Sequence, residues 1–595
     1  MIPSQPLPYQ DCWATPEDYV DNLLQFVTTS DTFQILCGGV HVLDFFTSEP
    51  GLFSTVVPGE WQPWLLQSDP MRLLDILMRE DLDSLQDPQP PESLAKYIKD
   101  IRRFSLSREF PLREEKLPKL TWQMSVGMKP KKVHEVRNFA NYVDQLASDI
   151  EENFDNNITH FVDFGSGQNY LGRALASAPY NKQFVAVEGR GHNIAGAKEL
   201  DVIARVAEKP KIMRNKKLWM QQLDSMTPED QRDERALKRA AQAIKTSEKY
   251  AADLRPRNEH DAIYTPEEGK GFIRYIEGRL ESGDLTDVTD QLSSTHLGST
   301  VAPTDLRLMA VSIHSCGNLS HHGIRSLIVN PAVQAIAIVG CCYNLLTEKL
   351  GPPTYKHPYM RPSLQALNGR VVRESAKHDP HGFPLSDRLC TYRDDGIRLN
   401  ITARMMACQA PYNWTEAESD GFFTRHFFRA VLQKIFLDRG VISKVYHDGT
   451  RAEDRTESSS PSPFNVSTNP VILGSLSKSC YKSLHAYVRG AITKLTASSN
   501  SREQRDIIKE RLSVITDEEI ARYERQYGPR KRELSAIWTL MAFSAVVVES
   551  LIVTDRWLFL KQHSDVVQDC WVETVFDYRQ SPRNLVVVGV KKQGP

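Results

Sequence analysis

A short stretch between residues 160 and 190 limits what this chain can fold into. Residues 160–164 form an apolar run that is rich in strand-forming side chains, and Gly165 and Gly167 follow it at once. Glycines at these positions allow a tight turn in which the backbone comes close to a ligand. Apolar residues at helical spacing follow the turn, and a second strand ends at Glu188. This succession predicts an open α/β sheet that binds an adenosine-containing cofactor, with the acid on the ribose hydroxyls.

The residues within the turn indicate which cofactor it binds. A dinucleotide-binding turn has a third glycine where Tyr170 stands in this chain. Asp163 lies two residues before the first glycine, where a carboxylate would repel a pyrophosphate but attract an ammonium group. S-adenosyl-L-methionine has an ammonium and a sulfonium group and no phosphate, so we predict this cofactor rather than a strand-turn-helix unit without a ligand. The predicted cofactor-binding residues of the stretch are Asp163, Gly165, Ser166, Gly167 and Glu188.

The chain of 595 residues is too long for one hydrophobic core, so we expect large additions to the sheet. Asp-x-Gly-x-Gly with a downstream Glu is similar to the first two motifs of class I methyltransferases. The predicted fold is a Rossmann-like, doubly wound α/β sheet with an antiparallel last strand, a helical N-terminal region and large helical insertions. The predicted divisions are a helical region at 1–120, a methyltransferase core at 121–350 with a charged helical insertion at about 200–262, a mostly helical insertion at 351–553 with a disordered loop at about 448–469, and closing strands at 554–595.

Composition excludes several classes of protein. A hydrophobic content of 41% and a charged content of 25% are ordinary for a soluble globular protein. The formal net charge of −2 provides no overall basic field of the kind that attracts nucleic acids. The nine cysteines include no Cys-x-x-Cys pair, so we predict reduced thiols and a cytoplasmic or nuclear location. The N-terminus lacks the regions of a secretory signal, and Glu549 interrupts the apolar run at 537–553, which predicts a buried helix and no membrane span.

Polar side chains follow the later strands of the predicted sheet, on the edge where open α/β sheets bind ligands. Asp284 follows strand three, and we predict that it reaches the adenine amino group. His314 follows strand four at residues 306–313. Because the unperturbed pKa of histidine lies near neutrality, we predict that His314 is the general base and that it also contacts the cofactor. Cys341 and Cys342 follow strand five.

A helix that opens near Met128 precedes the first strand. Pro130 is favourable at its first turn, and apolar residues at helical spacing continue through about Leu146. In many methyltransferases the helix at this place closes over the cofactor. Its candidates to line the site are Lys132, His134 and Glu135. The alternative is a solvated basic helix end.

Several chemistries remain open for the histidines and cysteines after strands four and five. His314 is either the base for an oxygen or protonated-nitrogen acceptor or a structural histidine that holds its loop. Cys316 or Cys342 as a thiolate would add to a pyrimidine ring, but neither stands in the Pro-Cys or Thr-Cys context of such enzymes, which favours small buried side chains. The spacing matches no standard zinc pattern, so we predict no metal, although a zinc site is left open. Its ligands would come from His314, Cys316, His321, His322, Cys341 and Cys342.

Three motifs together resemble the methyltransferase-like protein 25 family, whose members are often labelled ribosomal RNA adenine dimethylase domain-containing proteins. The motifs are Lys-Pro-Lys-Lys-x-His-Glu-Val at 129–136, His-x-Cys-Gly-x-Leu-Ser at 314–320 and Cys-Cys-Tyr-x-x-Leu at 341–346. The resemblance runs from about residue 120 to the end and implies a class I methyltransferase domain that uses S-adenosyl-L-methionine. A looser similarity reaches RNA ribose methyltransferases. The chain departs from the family at Asn318, which is more usually Asp, and at Gln168-Asn169, where the family has a Gly-containing turn.

The methyl acceptor is the least determined feature. RNA is the preferred acceptor class, and no DNA-binding motif is present. The chain lacks an Asn-Pro-Pro-Tyr or Asp-Pro-Pro-Tyr sequence after strand four, which argues against methylation of the exocyclic nitrogen of adenine. Two alternatives remain, namely a protein or small-molecule methyltransferase and a catalytically degenerate scaffold that binds the cofactor. Protein partners stay open.

Overall fold

A computed structural model describes most of the chain. The described residues are 2–48, 51–78, 81–85, 88–111, 117–209, 221, 224–227, 233, 235–236, 261–294, 306–350, 379–446, 466–497 and 502–593. Most of the predicted charged insertion at about 200–262 therefore lies outside the described residues. So does the predicted disordered loop at about 448–469, except for its last four residues.

Seven strands of the described chain form one sheet in the order β3-β2-β1-β4-β5-β9-β8. The strands β1 to β5 run parallel, whereas β9 is antiparallel to both β5 and β8. This arrangement confirms the predicted Rossmann-like fold with an antiparallel last strand. The strands are β1 His160–Phe164, β2 Gln183–Glu188, β3 Phe272–Glu277, β4 Leu308–Cys316, β5 Val333–Cys341, β6 Lys444–Tyr446, β7 Val466–Thr468, β8 Val567–Thr574 and β9 Leu585–Lys591, with β6 and β7 paired separately.

Helices cover both faces of the sheet and form most of the remaining described structure. The α-helices are α1 Pro16–Thr29, α2 Asp31–Gln34, α3 Leu52–Val56, α4 Gln62–Gln67, α5 Pro70–Met78, α6 Glu92–Phe104, α7 Trp122–Ser125, α8 Pro130–Phe154, α9 Tyr170–Leu175, α10 Gly191–Ile203, α11 Thr286–Ser294, α12 Leu319–Val329, α13 Asp387–Cys390, α14 Ile401–Ala407, α15 Glu416–Asp438, α16 Leu484–Ala497, α17 Arg502–Leu512, α18 Asp517–Tyr527 and α19 Lys531–Gln562. The mainly parallel sheet is buried on both faces because crossover helices lie against it.

The helix α8 lies against one face of the sheet and brings its N-terminal turn to the edge where the strands end. Pro130 occupies the first turn of α8, where its missing N–H leaves no intrahelical bond unmade. Val136, Phe139 and Val143 form the apolar stripe, and they share a core with β4 residues such as Val311. Burial of this stripe fixes the rotation of α8 about its axis. The side chain of Glu135 consequently lies within the protein rather than in solvent.

The helix α19 forms the centre of a second core on the opposite face. Its apolar residues pack with the N-terminal helices, α15 and the other face of the sheet in a single cluster. Within the described residues, Asp517–Gln562 is long and apolar enough to cross a membrane, but 94% of its most apolar window is buried inside the protein. The predicted buried helix at 537–553 therefore lies in the core of this structure. The helix α19 also continues through the predicted boundary at 553/554, so the closing strands begin at Val567. The remaining domain boundaries stay predictions.

Candidate active site

The turn after β1 has the open backbone that its glycines predict. Gly165 and Gly167 have φ angles of +70° and +57°, in the left-handed region that favours glycine. The N–H groups of Gly165 and Ser166 both donate to the carbonyl of Val187 in β2, at 2.9 and 3.1 Å. A Cβ atom on Gly167 would meet no atom closer than the carbonyl oxygen of Gly165, at 4.0 Å. The turn is thus fixed to the neighbouring strand while its outer side is open to a ligand.

Two carboxylates flank this turn. Asp163 is buried, and its Oδ1 finds no hydrogen-bond partner among the described residues. Burial raises the pKa of Asp163 to about 7, although the Ser312 hydroxyl and Lys132 oppose the shift. Glu188 accepts hydrogen bonds from the N–H of Gly167 at 2.8 Å and from the N–H of Arg190 at 3.0 Å. One carboxylate therefore has an oxygen without a described hydrogen-bond partner, and the other carboxylate is bonded to the turn.

The unpartnered atoms of the turn fit the predicted cofactor. Buried polar atoms nearly always have a hydrogen-bond partner, so those without one need an explanation. Three such atoms belong to residues 163–169, namely Asp163 Oδ1, Ser166 Oγ and Asn169 Oδ1. An ammonium group would satisfy the carboxylate and other polar groups of a ligand would satisfy the remaining atoms. The unpartnered oxygen atoms of this turn are therefore compatible with S-adenosyl-L-methionine.

A glutamate–histidine pair lies at the neighbouring strand end. The ring Nε2 of His314 lies 2.9 Å from Glu135 Oε2, and the Ser581 hydroxyl donates to Glu135 Oε1 at 2.8 Å. Lys132 Nζ lies 3.0 Å from the same Oε2. Burial disfavours the charged form of Glu135, but His314, Lys132 and Ser581 outweigh it and lower its pKa to about 2. An ionised carboxylate thus orients a histidine whose side chain is 36% exposed.

A β-bulge in β4 sets the direction of these side chains. Ser312 pairs with Ile338 of β5, but the next pair is Ser315 with Gly340, so β4 has one extra residue. Bulges bend a strand and re-aim the residues that follow. The extra residue falls immediately around His314. The bulge therefore determines which side chains of β4 reach the edge of the sheet.

Three cysteine thiols meet at the ends of β4 and β5. Cys316 Sγ lies 3.1 Å from Cys341 Sγ and 3.5 Å from Cys342 Sγ, and the last two sulfurs are 3.8 Å apart. The hydrogen bond with Cys341, and then that with Cys342, lower the pKa of Cys316 to about 6 against the effect of burial. Burial and the neighbouring Cys316 raise the pKa of Cys342 to about 11. Sequence reasoning named Cys316 and Cys342 as possible nucleophiles and all three cysteines as possible zinc ligands, and the structure brings the three thiols together.

Part of this chain is similar to known proteins. Residues 131–349 match a family model described as a methyltransferase domain. The matched residues include the five parallel strands of the sheet and both acids beside the glycine turn. The chain is also 28% identical over 287 residues to the probable methyltransferase-like protein 25 of Mus musculus and to that of Homo sapiens. No solved structure matches.

These matches cover only part of each protein. The aligned region is 48% of this chain, 38% of the mouse protein and 37% of the human protein. The predicted resemblance to methyltransferase-like protein 25 is confirmed. The ribosomal RNA adenine dimethylase label of that family is not confirmed for this chain and stays a prediction.

Other predicted site residues of the methyltransferase domain have local partners. Asp284 is exposed and accepts hydrogen bonds from the N–H and hydroxyl of Thr286, at 2.9 and 2.6 Å. These bonds are typical of a helix start, and its contact with adenine stays a prediction. The His134 Nε2 accepts from the N–H of Asp577 at 3.1 Å, so this ring is held beside β8.

The residues of the open zinc alternative divide into two groups. His321 Nδ1 bonds to the carbonyl of His381 at 3.0 Å, and the ring of His322 packs edge-on against His381. Neither histidine belongs to the group of thiols that lie within reach of one ion. Asn318, where the family more usually has Asp, donates to Thr347 and Asp379. Its described contacts are those of a residue that joins two loops.

Sequence reasoning missed Ser312 and Ser581, which contact the two buried carboxylates. Ser312 could have been found from the sheet, because a residue near the end of β4 lies beside the end of β1. Ser581 belongs to the loop between β8 and β9, more than 400 positions from Glu135. No local signal in the sequence predicts that contact.

Proposed function

We propose that the methyltransferase domain transfers a methyl group from S-adenosyl-L-methionine to RNA. The observation that supports this cofactor is the buried carboxylate of Asp163, whose Oδ1 has no described partner. This carboxylate lies beside a turn that two glycines hold open. When bound, S-adenosyl-L-methionine supplies a methyl group that is already activated by the sulfonium. The protein's task is to align the reactants and to exclude water.

Each residue of the turn has a defined part in this proposal. Asp163 accepts hydrogen bonds from the ammonium group of the methionine end. Gly165 and Gly167 allow the backbone to approach, and Ser166 donates or accepts with its hydroxyl. Glu188 has a second lone pair on each oxygen, with which it accepts from the ribose hydroxyls while it keeps its bonds to the turn.

His314 acts as the base for the acceptor in this proposal. The carboxylate of Glu135 accepts the Nε2 proton, so the neutral ring has its basic lone pair on Nδ1. This tautomer can take a proton from a hydroxyl or a protonated nitrogen while Glu135 stabilises the resulting imidazolium. Partial exposure of the ring allows an acceptor to reach it.

RNA is the acceptor that the local charges favour. Lys129, Lys131 and Lys132 stand together at the start of α8, next to the glutamate–histidine pair. Lysines at the rim of a site can contact a phosphate backbone without an overall positive charge on the protein. We propose a cytoplasmic or nuclear location on the basis of the reduced thiols.

Calorimetry with the full chain is the first test. We expect saturable binding of S-adenosyl-L-methionine, and we expect Asp163→Ala to weaken it by about tenfold or more through loss of a charge-assisted bond. Asp287→Ala is the matched control, because Asp287 is an exposed carboxylate on α11. Asp284→Ala separately tests the predicted adenine contact. Absence of binding at millimolar cofactor would overturn the proposal, whereas binding without methyl transfer would favour the scaffold that binds the cofactor.

The acceptor is tested with methyl-labelled cofactor and fractionated cellular RNA and protein. We expect label that ribonuclease removes and that His314→Ala abolishes. Label that resists ribonuclease but is removed by protease would indicate a protein acceptor instead of RNA. Label in neither fraction, with cofactor binding intact, would contradict both macromolecular acceptors.

A further inference from the structure

The three thiols at the ends of β4 and β5 are arranged for a function that methyl transfer does not require. Cys316, Cys341 and Cys342 offer sulfur atoms that all lie within 4.8 Å of one another. Cys316 is exposed, Cys342 is half-buried and Cys341 is buried. The cluster therefore has a closed side within the sheet and an open side toward solvent.

The backbone adopts an unusual conformation to bring these thiols together. Successive side chains of a strand point to opposite faces, so Cys341 and Cys342 would diverge if β5 simply continued. Instead Cys342 has φ +48° and ψ +53°, in the left-handed region. This conformation costs about 1–2 kcal/mol for a residue other than glycine. Such strain persists where the surrounding structure imposes it, and it is concentrated at functional sites.

The bulge in β4 supplies the third sulfur. Beyond the bulge, Cys316 pairs in register with Cys341. Side chains paired on neighbouring strands lie side by side, so the register places one thiol against the other. Two independent irregularities, one in each strand, thus converge on the same cluster.

The sulfur separations lie at or somewhat below those of a metal–thiolate site, so three thiolates around one ion need only a small outward shift. Zinc–sulfur bonds of about 2.3 Å at tetrahedral angles place neighbouring sulfurs about 3.8 Å apart. The three observed separations are 3.1, 3.5 and 3.8 Å. We propose that Cys316, Cys341 and Cys342 bind one zinc ion as three thiolates, with the fourth position open toward solvent. Three protein ligands with an open position are the pattern of zinc sites that bind a further ligand.

The surroundings suit the charge of such a site. Three thiolates and one Zn²⁺ have a net charge of −1, and both His314 and Lys132 favour the negative charge of Cys316 electrostatically. The Cys408 thiol is engaged elsewhere, 3.4 Å from Asn344 Oδ1 and from the carbonyl of Arg404. The proposal does not depend on methyl transfer, because the ligands belong to strand ends that form with or without an acceptor.

Metal titration of the intact chain tests the proposal. The protein is reduced with a phosphine, stripped with a chelator and titrated with Co²⁺ as a spectroscopic probe, followed by displacement with Zn²⁺. We expect one Co²⁺ per chain with a thiolate charge-transfer band in the near ultraviolet, and we expect Zn²⁺ to abolish the band. Cys316→Ser and Cys342→Ser should each weaken binding by about tenfold or more.

Two controls separate a loss of metal binding from a general effect of substitution. Cys390→Ser removes a half-buried thiol outside the cluster and should leave the titration unchanged. Because Cys316 is exposed, Cys316→Ser should keep the circular dichroism and cofactor binding of the parent. The absence of a thiolate band in reduced protein would overturn the proposal, and so would equal Co²⁺ binding by Cys316→Ser. A Cys316–Cys341 disulfide in protein isolated without oxygen would also overturn it.

Discussion

If Asp163 holds the cofactor as proposed, cofactor binding should depend on pH. Burial raises its pKa to about 7, and only the ionised form attracts an ammonium group. The affinity for S-adenosyl-L-methionine should therefore fall as the pH falls below 7, by about tenfold per unit. Calorimetry between pH 6 and pH 8 measures this dependence. Asp163→Asn should bind weakly with little dependence on pH, and an equally steep dependence in that variant would assign the effect to another group.

The same residue should destabilise the protein without cofactor. The folded protein keeps the Asp163 proton up to about pH 7, whereas the unfolded chain loses it near the ordinary value of 3.8. The unfolded state binds fewer protons in this interval, so this group's contribution to stability falls as the pH rises from 3.8 to 7. Asp163→Asn should raise the thermal midpoint at pH 8 but not at pH 4. A lower midpoint at pH 8 would show that the carboxylate has a stabilising partner.

Glu135 is expected to act through His314 rather than on the substrate. Glu135→Gln keeps the shape but removes the charge that stabilises a protonated ring, so kcat should fall by about 10²-fold. The affinity for the cofactor should stay within about twofold, because Glu135 does not belong to the glycine turn. His134→Ala is the control, since that neighbouring ring is held by Asp577. Equal losses of kcat in both variants would indicate a general effect on α8.

Among the secondary-structure elements, the ends of β4 and β5 depend on one close contact. Gly317 has φ +56°, and a Cβ atom there would lie 2.6 Å from the carbonyl oxygen of Leu345. Gly317→Ala should therefore push the two strand ends apart and lower the free energy of unfolding by roughly 2 kcal/mol or more. Thermal denaturation measures the loss. Cobalt binding by the thiols should weaken in parallel.

A matched glycine provides the control for that variant. Gly421 lies on the exposed side of α15, and a Cβ atom there would meet nothing within 4 Å. Gly421→Ala should raise stability by about 1 kcal/mol, because alanine is the better helix former. Comparable destabilisation of both variants would refute the steric explanation for Gly317.

Across the protein as a whole, Glu549 joins parts of the chain that are far apart in sequence. This buried carboxylate of α19 lies 2.7 Å from Arg108, 2.6 Å from Arg583 and 2.8 Å from the Tyr343 hydroxyl. Burial opposes its ionisation, but the two arginines prevail and lower its pKa. Its contribution to stability is present above its ordinary pKa and is lost as the pH falls below it. Glu549, the charged residue within an apolar helix, thus links the N-terminal region, the sheet and the closing hairpin through these three contacts.

Removal of that charge should destabilise the protein strongly. Glu549→Gln leaves the buried Arg583 and the half-buried Arg108 without their counter-charge, which should cost about 3–5 kcal/mol. The thermal midpoint at neutral pH measures the loss. Asp506→Asn is the control, because its pair with Arg502 is exposed and 4.0 Å long, and it should change stability by less than about 1 kcal/mol. A negligible effect of Glu549→Gln would show that its three contacts are not formed.

The sequence predicted more of the fold than of the candidate site. Gly165 and Gly167, with the apolar runs on either side, predicted the sheet because turn conformation and strand burial depend on neighbouring residues. The positions of Asp163 and Glu188 followed from that sheet. The surroundings of Asp284 could not be predicted from the sequence. Its hydrogen bond with Thr286 at the start of α11 depends on the conformation of the loop after β3. The catalytic and binding roles of all these residues stay predictions.

The order of strands and helices, and the glycine turn between two acids, could be predicted from the sequence because these are properties of short segments. Which distant side chains meet depends on how the segments pack. Glu135 and His314 are 179 positions apart, and they are joined because α8 packs its apolar stripe on the sheet beside a bulged strand. The thiols of Cys316 and Cys341 meet for a similar reason, since strand register is set by pairing across the sheet and not by spacing along the chain.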